Sequence, residues 1–292
     1  MKLTLVPVVA LLAAVWIGWQ CQQPKNRENR TMNRLESFKS EIGFQTLSEK
    51  TQPYQPILLT ATSLAGLGMV SLADWTPLSN IVYQMDDNCV IRIWDLEHDS
   101  VTATLSLIVS SAGQEAARQA LLSIASNTSS PSIPFIKGPD DLGDLAIEYP
   151  EDDELQDIVW THGNYCARVG IEDGDHETAL RLARDLEKCL AGYGVSDLTT
   201  HLIRIDSVDL KSASVKVSEP FEIAANVSAP DINRIKMECV SLQGRLEIQD
   251  LSDRSATVLP IQKGSDVLVV RAFDTLTLLC ASRRIELKIT DQ

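Results

Sequence analysis

The pattern of hydrophobic and polar positions divides the chain into four stretches. Residues 1–20 are mostly apolar and residues 21–54 are mostly polar. Residues 55–196 mix strand-like and helix-like periods, whereas residues 197–292 contain only short strand-like runs. We therefore predict a signal or membrane anchor, a polar stalk, an α+β domain and an all-β domain, in that order.

The first stretch is predicted to meet a membrane. Residues 3–19 read LTLVPVVALLAAVWIGW and carry no charge, while Lys2 supplies a positive start. Such a length is near the lower limit for a membrane helix and long for the core of a signal peptide. Trp16 and Trp19 suit the headgroup region, which favours a retained anchor over a cleaved signal. Lipidation of Cys21 is a further alternative, although the residues before it fit a lipidation motif poorly.

The charges around this stretch give conflicting indications of orientation. Lys25, Arg27, Arg30 and Arg34 follow it, and the positive-inside rule would then keep the body in the cytoplasm. A short charged start before an apolar core is instead typical of export. We expect an extracytoplasmic body, anchored or secreted, with a cytoplasmic-facing anchored adaptor as an alternative.

The middle of the chain predicts strands and helices in the order β-β-α-β-β-α. Alternating or β-branched runs over 88–96, 102–109, 158–161 and 165–171 indicate four strands, and the polar stalk holds one short amphipathic helix. Two further helices are expected from stripes of apolar residues at helical spacing. The stripes comprise Ala116, Ala120, Leu121 and Ile124, and then Ala179, Leu182, Ala183, Leu186 and Leu190. This order predicts a mainly antiparallel sheet with helices on one face.

The last stretch contains no convincing helix. Its strand-like runs are LIRIDSVDL, ASVKV, PFEIAANV, IKMECVSL, GRLEIQDL, ATVLPI, DVLVVRAF, TLTLLCA and RIELKIT, and turn residues separate several of them. Short strands at this spacing predict an immunoglobulin-like β-sandwich. The stretch lacks Trp, so true membership of the immunoglobulin family is not indicated.

Charge is concentrated in the middle domain. The chain has a net charge of -14, and residues 55–196 alone hold 22 acidic and 7 basic residues. Nucleic-acid phosphates would be repelled by this surface, so a nucleic-acid partner is not expected. Nine of the carboxylates fall between Asp140 and Asp157 without an intervening base.

This acidic run is the main candidate for a partner site. Its predicted patch comprises Asp140, Asp141, Asp144, Glu151, Asp152, Asp153 and Glu154. Oxygen ligands of this kind suit calcium, but their spacing does not match an EF-hand loop. A solvated acidic loop is the plainer interpretation, and its functional variant is a patch that attracts a protein partner with a basic surface.

Six cysteines occur without a C-x-x-C pair, which excludes zinc ribbons and thioredoxin-like motifs. In an exported protein, Cys89 could pair with Cys166 and Cys239 with Cys280, as two long-range disulfides. The alternative is that all are buried free thiols, because Cys packs as a small hydrophobe.

No catalytic motif stands out, and no cofactor or metal is expected. Gly66 and Gly68 begin a partial dinucleotide-binding pattern, but Pro77 interrupts the helix that this motif needs. The four histidines are scattered, and His162 is expected in a hairpin tip. We therefore predict a non-catalytic, membrane-tethered binding or scaffolding protein. The alternative is a secreted hydrolase using carboxylates or His162 in the middle domain.

Overall fold

A computed structural model describes residues 34–47, 69, 72–126, 133–149, 155–192, 203–252 and 254–291. Its three α-helices are α1 (34–41), α2 (Gln114–Ser126) and α3 (His176–Gly192). The strands of the first sheet are β1 (Thr76–Gln84), β2 (Cys89–His98), β3 (Val101–Ser110), β4 (Ile136–Lys137), β5 (Leu145–Glu148), β6 (Leu155–His162) and β7 (Tyr165–Glu172). The remaining strands are β8 (Arg204–Asp209), β9 (Ser214–Lys216), β10 (Phe221–Ser228), β11 (Ile235–Ser241), β12 (Leu246–Leu251), β13 (Ser255–Pro260), β14 (Gly264–Asp274) and β15 (Cys280–Thr290).

The first seven strands form one antiparallel sheet in the order β1-β2-β3-β7-β6-β5-β4. Two hairpins, β2-β3 and β6-β7, occupy its centre, and β3 pairs with β7 between them. The tip of the second hairpin is Gly163-Asn164, directly after His162. The predicted β-β-α-β-β-α order is therefore confirmed, with β1, β4 and β5 added at the edges.

The two long helices cover opposite faces of this sheet. On β2, Trp94 faces the cluster that includes Leu186 of α3, whereas its neighbour Ile93 faces the cluster that includes Leu121 of α2. The expectation that the helices lie on one face is therefore wrong. The central strands are apolar on both sides, so both faces of the sheet need a cover.

The buried stripe of α3 is as predicted, but that of α2 is not. The residues of α2 that are buried are Ala117, Arg118, Leu121, Leu122 and Ala125. This stripe is turned by about one residue from the predicted one and includes a charged side chain. Arg118 tolerates burial because its guanidinium stacks 4.9 Å from the ring centroid of Phe44.

Part of the predicted polar stalk is packed against the sheet. In and after α1, Phe38 and Ile42 are buried in the same cluster as α2. Farther along, the backbone nitrogen of Leu47 donates to Oε2 of Glu115 at 2.9 Å. The amphipathic helix expected in the stalk therefore belongs to the folded body.

The last eight strands form two four-stranded sheets, in the orders β12-β13-β10-β8 and β11-β14-β15-β9. Their inner faces share one buried cluster, which includes Ile223, Val258, Leu268 and Leu287. Alternation of these residues with exposed ones is what two packed sheets require. The predicted β-sandwich is confirmed at this level.

The turn between β14 and β15 joins the sandwich to the first sheet. Leu278 in this turn is fully buried, and with Phe273 it belongs to the same apolar cluster as Trp94 of β2. Leu278 has a φ of 58°, a left-handed conformation that is unusual for a bulky residue. The run TLTLLCA was expected to be a strand, which is wrong; we call residues 275–279 the junction turn.

Polar contacts surround the junction turn. Nη2 of Arg92 donates to the carbonyl of Thr275 at 2.6 Å. Asp87, in the β1-β2 turn, accepts from Nη2 of Arg284 at 2.8 Å, and its carbonyl accepts from Oγ of Ser282 at 2.9 Å. Sheet and sandwich are thus connected by both apolar packing and charge-assisted hydrogen bonds.

Candidate functional site

The described carboxylates of the predicted acidic patch all have partners. Asp140 pairs with Lys137 at 2.5 Å, and Asp141 pairs with Nε of Arg184 at 2.8 Å. The hydrogen bond from Arg184 lowers the pKa of the Asp141 carboxyl. The other four predicted members lie outside the described residues: Glu151, Asp152, Asp153 and Glu154. A patch that attracts a basic partner therefore stays a prediction.

Asp144 has a structural position beside the β6-β7 hairpin. Its Oδ2 accepts from the backbone nitrogen of Gly163 at 2.8 Å and from Nε2 of Gln114 at 2.9 Å. Its own nitrogen donates to the carbonyl of Thr161 at 2.6 Å. These bonds attach the hairpin tip to the start of α2.

His162 forms a dyad with Glu187 on α3. Nδ1 of His162 lies 2.7 Å from Oε1 of Glu187, whose Oε2 accepts from Nε1 of Trp160 at 2.7 Å. The hydrogen bond that His162 donates to Glu187, together with the negative charges of Glu187 and Asp144, raises the pKa of His162 against the opposing effect of burial. An imidazole held through Nδ1 is suited to proton transfer at its other nitrogen, and it also ties α3 to the sheet.

The five described cysteines are free thiols. Cys89 is on β2 and Cys166 on β7, with β3 between them; Cys239 is on β11 and Cys280 on β15, with β14 between them. Strands two positions apart are separated by about 9.5 Å, which exceeds the reach of a disulfide. Neither predicted disulfide is formed.

The buried thiols are poor nucleophiles. Burial raises the pKa of Cys89 to about 12 and that of Cys280 to about 11. The Sγ of Cys280 lies 3.6 Å from Oγ of Ser111, next to the junction. These cysteines therefore pack as small apolar residues, as the alternative interpretation of the sequence expected.

An open groove lies at one end of the sandwich, remote in sequence from the acidic run. Its volume is about 520 Å³, within the range of ligand sites. We call it the sandwich groove, and its lining residues are Ala213, Gln243, Ser265, Asp266, Val267, Glu286, Leu287 and Lys288. They come from the β11-β12 turn, the loop before β9, the start of β14 and the end of β15.

Asp266 organises the floor of the sandwich groove. This buried carboxylate accepts from Oγ of Ser241 at 2.6 Å and from the backbone nitrogens of Gln243 at 3.0 Å and Arg245 at 2.9 Å. Burial opposes its ionisation, yet these hydrogen bonds lower the pKa of Asp266. The β11-β12 turn is thereby fixed over the groove.

The wall of the sandwich groove carries one charge of each sign. Glu286 and Lys288 are exposed and point to the same side of β15, because the buried Leu287 separates them. Opposite them on β14 lie Val267 and Ser265. Within the described part of the chain, neither charge belongs to an ion pair.

The sandwich groove was not predicted from the sequence. The alternation in RIELKIT predicts a strand with Glu286 and Lys288 on one polar side, and that signal was available. Which polar side lines a groove depends on where the β11-β12 turn folds. That placement is set by long-range bonds to Asp266, which periodicity does not reveal.

Two other properties of the described residues concern metals and membranes. No group of three or more His, Cys, Asp and Glu side chains there is arranged to hold a metal ion. None of the helices within those residues is sufficiently long and apolar to cross a bilayer. The apolar residues 3–19 lie outside the described part.

Comparison with known proteins gives little further information. No protein-family model matches the chain, and no curated protein matches it. A SusE-like, surface-located polysaccharide-binding protein from the heparin utilisation locus of Bacteroides thetaiotaomicron aligns with 75% of the chain at 12% identity and a TM-score of 0.21. A polysaccharide lyase aligns with 80% of it at 8% identity and a TM-score of 0.18. The chain spans 36% of each of these two proteins, and similarity at this level assigns neither fold nor function.

Proposed function

We propose that this chain is an extracytoplasmic, membrane-tethered protein that binds a partner and performs no catalysis. The observation that carries the proposal is the sandwich groove, an open site of about 520 Å³ with charged and polar walls. Residues 3–19 supply the proposed tether, because they form an uncharged apolar stretch. Binding sites commonly lie on loops that a rigid scaffold holds in place, as the β11-β12 turn is held by Asp266.

We further propose that the chain comprises two domains, with the boundary near residue 196 and an immunoglobulin-like second domain. Support comes from the end of α3 at Gly192 and the start of β8 at Arg204. Expression of residues 203–292 alone tests this division. A cooperative unfolding transition of that fragment supports two domains, whereas an unfolded fragment would show that the sandwich needs the first sheet.

Membrane fractionation with protease protection tests the location. The tethered, exported form should sediment with membranes, resist extraction at high pH, and be digested by protease added outside intact cells. If the body is protected until the membrane is broken, the cytoplasmic-facing adaptor replaces this proposal. Mass spectrometry of the mature N-terminus separates a retained anchor from a cleaved or lipidated one.

A secreted hydrolase is the second candidate function, and the His162–Glu187 dyad is the observation in its favour. Its 2.7 Å contact holds the imidazole as a general base would be held. The test is hydrolysis of chromogenic ester and glycoside substrates by the purified chain and by His162→Gln. Turnover that falls at least about 100-fold in the variant would establish the hydrolase and contradict the binding proposal. No turnover by either protein supports binding.

A further inference from the structure

We propose that the sandwich groove binds an extended peptide segment that carries one basic and one acidic side chain two residues apart, flanked by apolar side chains. This inference rests on the proposed binding function and specifies the partner class. Glu286 would pair with the basic side chain of the peptide, and Lys288 with its acidic side chain. The partner is a segment of another protein chain.

The two charges on β15 match the spacing of side chains in an extended peptide. Glu286 and Lys288 stand on the same side of β15, two residues apart, which corresponds to about 6.7 Å along a strand. An extended peptide repeats its own side chains at the same distance, so its residues i and i+2 align with both charges. Opposite charges placed in this way attract a segment with one charge of each sign and disfavour a segment with two like charges.

Two exposed apolar residues lie on turns next to the segments that line the groove. Leu242 is 46% exposed and Ile261 is 50% exposed, and both are large for such exposure. The backbone nitrogen of Leu242 donates to the carbonyl of Val267, a lining residue, at 3.0 Å. The backbone nitrogen of Ile261 donates to the carbonyl of Arg245, in the β11-β12 turn, at 2.9 Å. Apolar side chains on either flank of a bound segment would cover this surface.

The side-chain amide of Gln243 adds a hydrogen-bonding group to the groove. Its Oε1 accepts from the backbone nitrogen of Val267 at 2.7 Å, which orients the carboxamide. The NH2 group of the same amide carries two N–H donors, and a peptide carbonyl is a suitable acceptor for them. One oriented donor beside two charges gives a peptide backbone a defined position.

The same features favour a peptide over a polysaccharide. The lining residues include both signs of charge, whereas an acidic polysaccharide offers only negative groups and a neutral one offers none. None of the lining residues is aromatic, so the groove lacks a flat apolar surface on which a ring could stack. The exposed aliphatic residues Leu242 and Ile261, on the neighbouring turns, instead match aliphatic side chains.

Fluorescence anisotropy of labelled, end-capped pentapeptides tests the proposal with the full-length chain in mild detergent. The mixed probe is Leu-Lys-Val-Glu-Leu, and the same-sign probes carry Lys at both or Glu at both charged positions. We expect the wild-type chain to bind the mixed probe at least about fivefold more tightly than either same-sign probe, a reasonable effect for exposed ion pairs. Raising the salt concentration should reduce this preference.

Charge-reversal variants identify the site. Glu286→Lys leaves two positive groups on the wall of the groove, above the buried Asp266, and should transfer the preference to the probe with two Glu residues. Lys288→Glu should transfer it to the probe with two Lys residues. Glu222→Lys is the matched control, because this exposed residue lies on β10 in the opposite sheet, and it should keep the wild-type preference.

The outcomes separate this inference from the proposed function. Equal binding of all probes, or preferences that ignore both reversals, would overturn the peptide assignment. Tight binding of a polysaccharide that competes at the groove would overturn it as well, while the binding function stands. Hydrolysis of the probes or of a polysaccharide would instead contradict the proposed function itself.

Discussion

Replacing Leu278 tests how strongly the junction turn holds the sandwich to the first sheet. The side chain is fully buried in the cluster that also contains Trp94 and Phe273. Removing such a side chain leaves a cavity, and Leu→Ala changes of this kind cost about 2–5 kcal/mol. We expect Leu278→Ala to reduce the free energy of unfolding by about 3 kcal/mol.

A glycine at the same position gives a sharper test, because the φ of Leu278 is 58°. A residue with a Cβ in this conformation carries a strain of about 1 kcal/mol, which glycine does not have. Leu278→Gly should therefore be about 1 kcal/mol more stable than Leu278→Ala, although glycine is usually the worse substitute.

Urea unfolding of the full-length chain, followed by tryptophan fluorescence, measures both variants. Leu242→Ala is the control, since this exposed leucine should change stability by less than about 0.5 kcal/mol. If Leu278→Ala is no more destabilising than the control, the junction turn is not a buried contact. If glycine is worse than alanine, the left-handed backbone is not present in the folded chain.

Three further predictions concern single positions. The pKa of His162 is raised, so its ion pair should stabilise the fold below about pH 6.5 and lose this effect as pH rises through the folded pKa. In melting curves recorded above about pH 6, His162→Gln should therefore reduce the fall of the melting temperature with rising pH. A Cβ at Gly143 would lie 2.1 Å from a backbone oxygen, so Gly143→Ala should lower the free energy of unfolding by more than about 1 kcal/mol. Gly192→Ala is the control: a Cβ there would have no atom within 4 Å, so the free energy of unfolding should not fall. Iodoacetamide at pH 8 should label Cys280 more slowly than the partly exposed Cys189, as read by mass spectrometry of peptides; equal rates would contradict the burial of Cys280.

Local periodicity was sufficient to predict most elements of the fold. The strands around Ile93 and Val169, and the apolar stripe of α3, follow from alternation and helical spacing. The sandwich follows from short runs separated by turn residues. These signals are local, so they can be recognised before the packing partners of each element are known.

Long-range packing explains the predictions that were wrong. The buried stripe of α2 could not be identified because many of its residues are small, and because α2 packs in one cluster with Phe38, which is distant in sequence. The junction turn resembles a strand because Leu278 and Leu279 are apolar, yet Leu278 packs against the first sheet and Leu279 packs within the sandwich. The sandwich groove depends on the bonds of Asp266 to a turn more than 20 residues away in sequence.

The cover on both sides of the first sheet restricts where the molecule can meet another one. Helix α3 covers one face of the sheet, and α2 and α1 cover the other. Its central strands β3 and β7 therefore offer no broad flat surface to a binding partner. A partner of this part of the chain must bind to edge strands, loops or the solvent-facing sides of the helices. If a substitution in those strands changes binding, the cause would therefore be a change in the folded structure and not the loss of a direct contact with the partner.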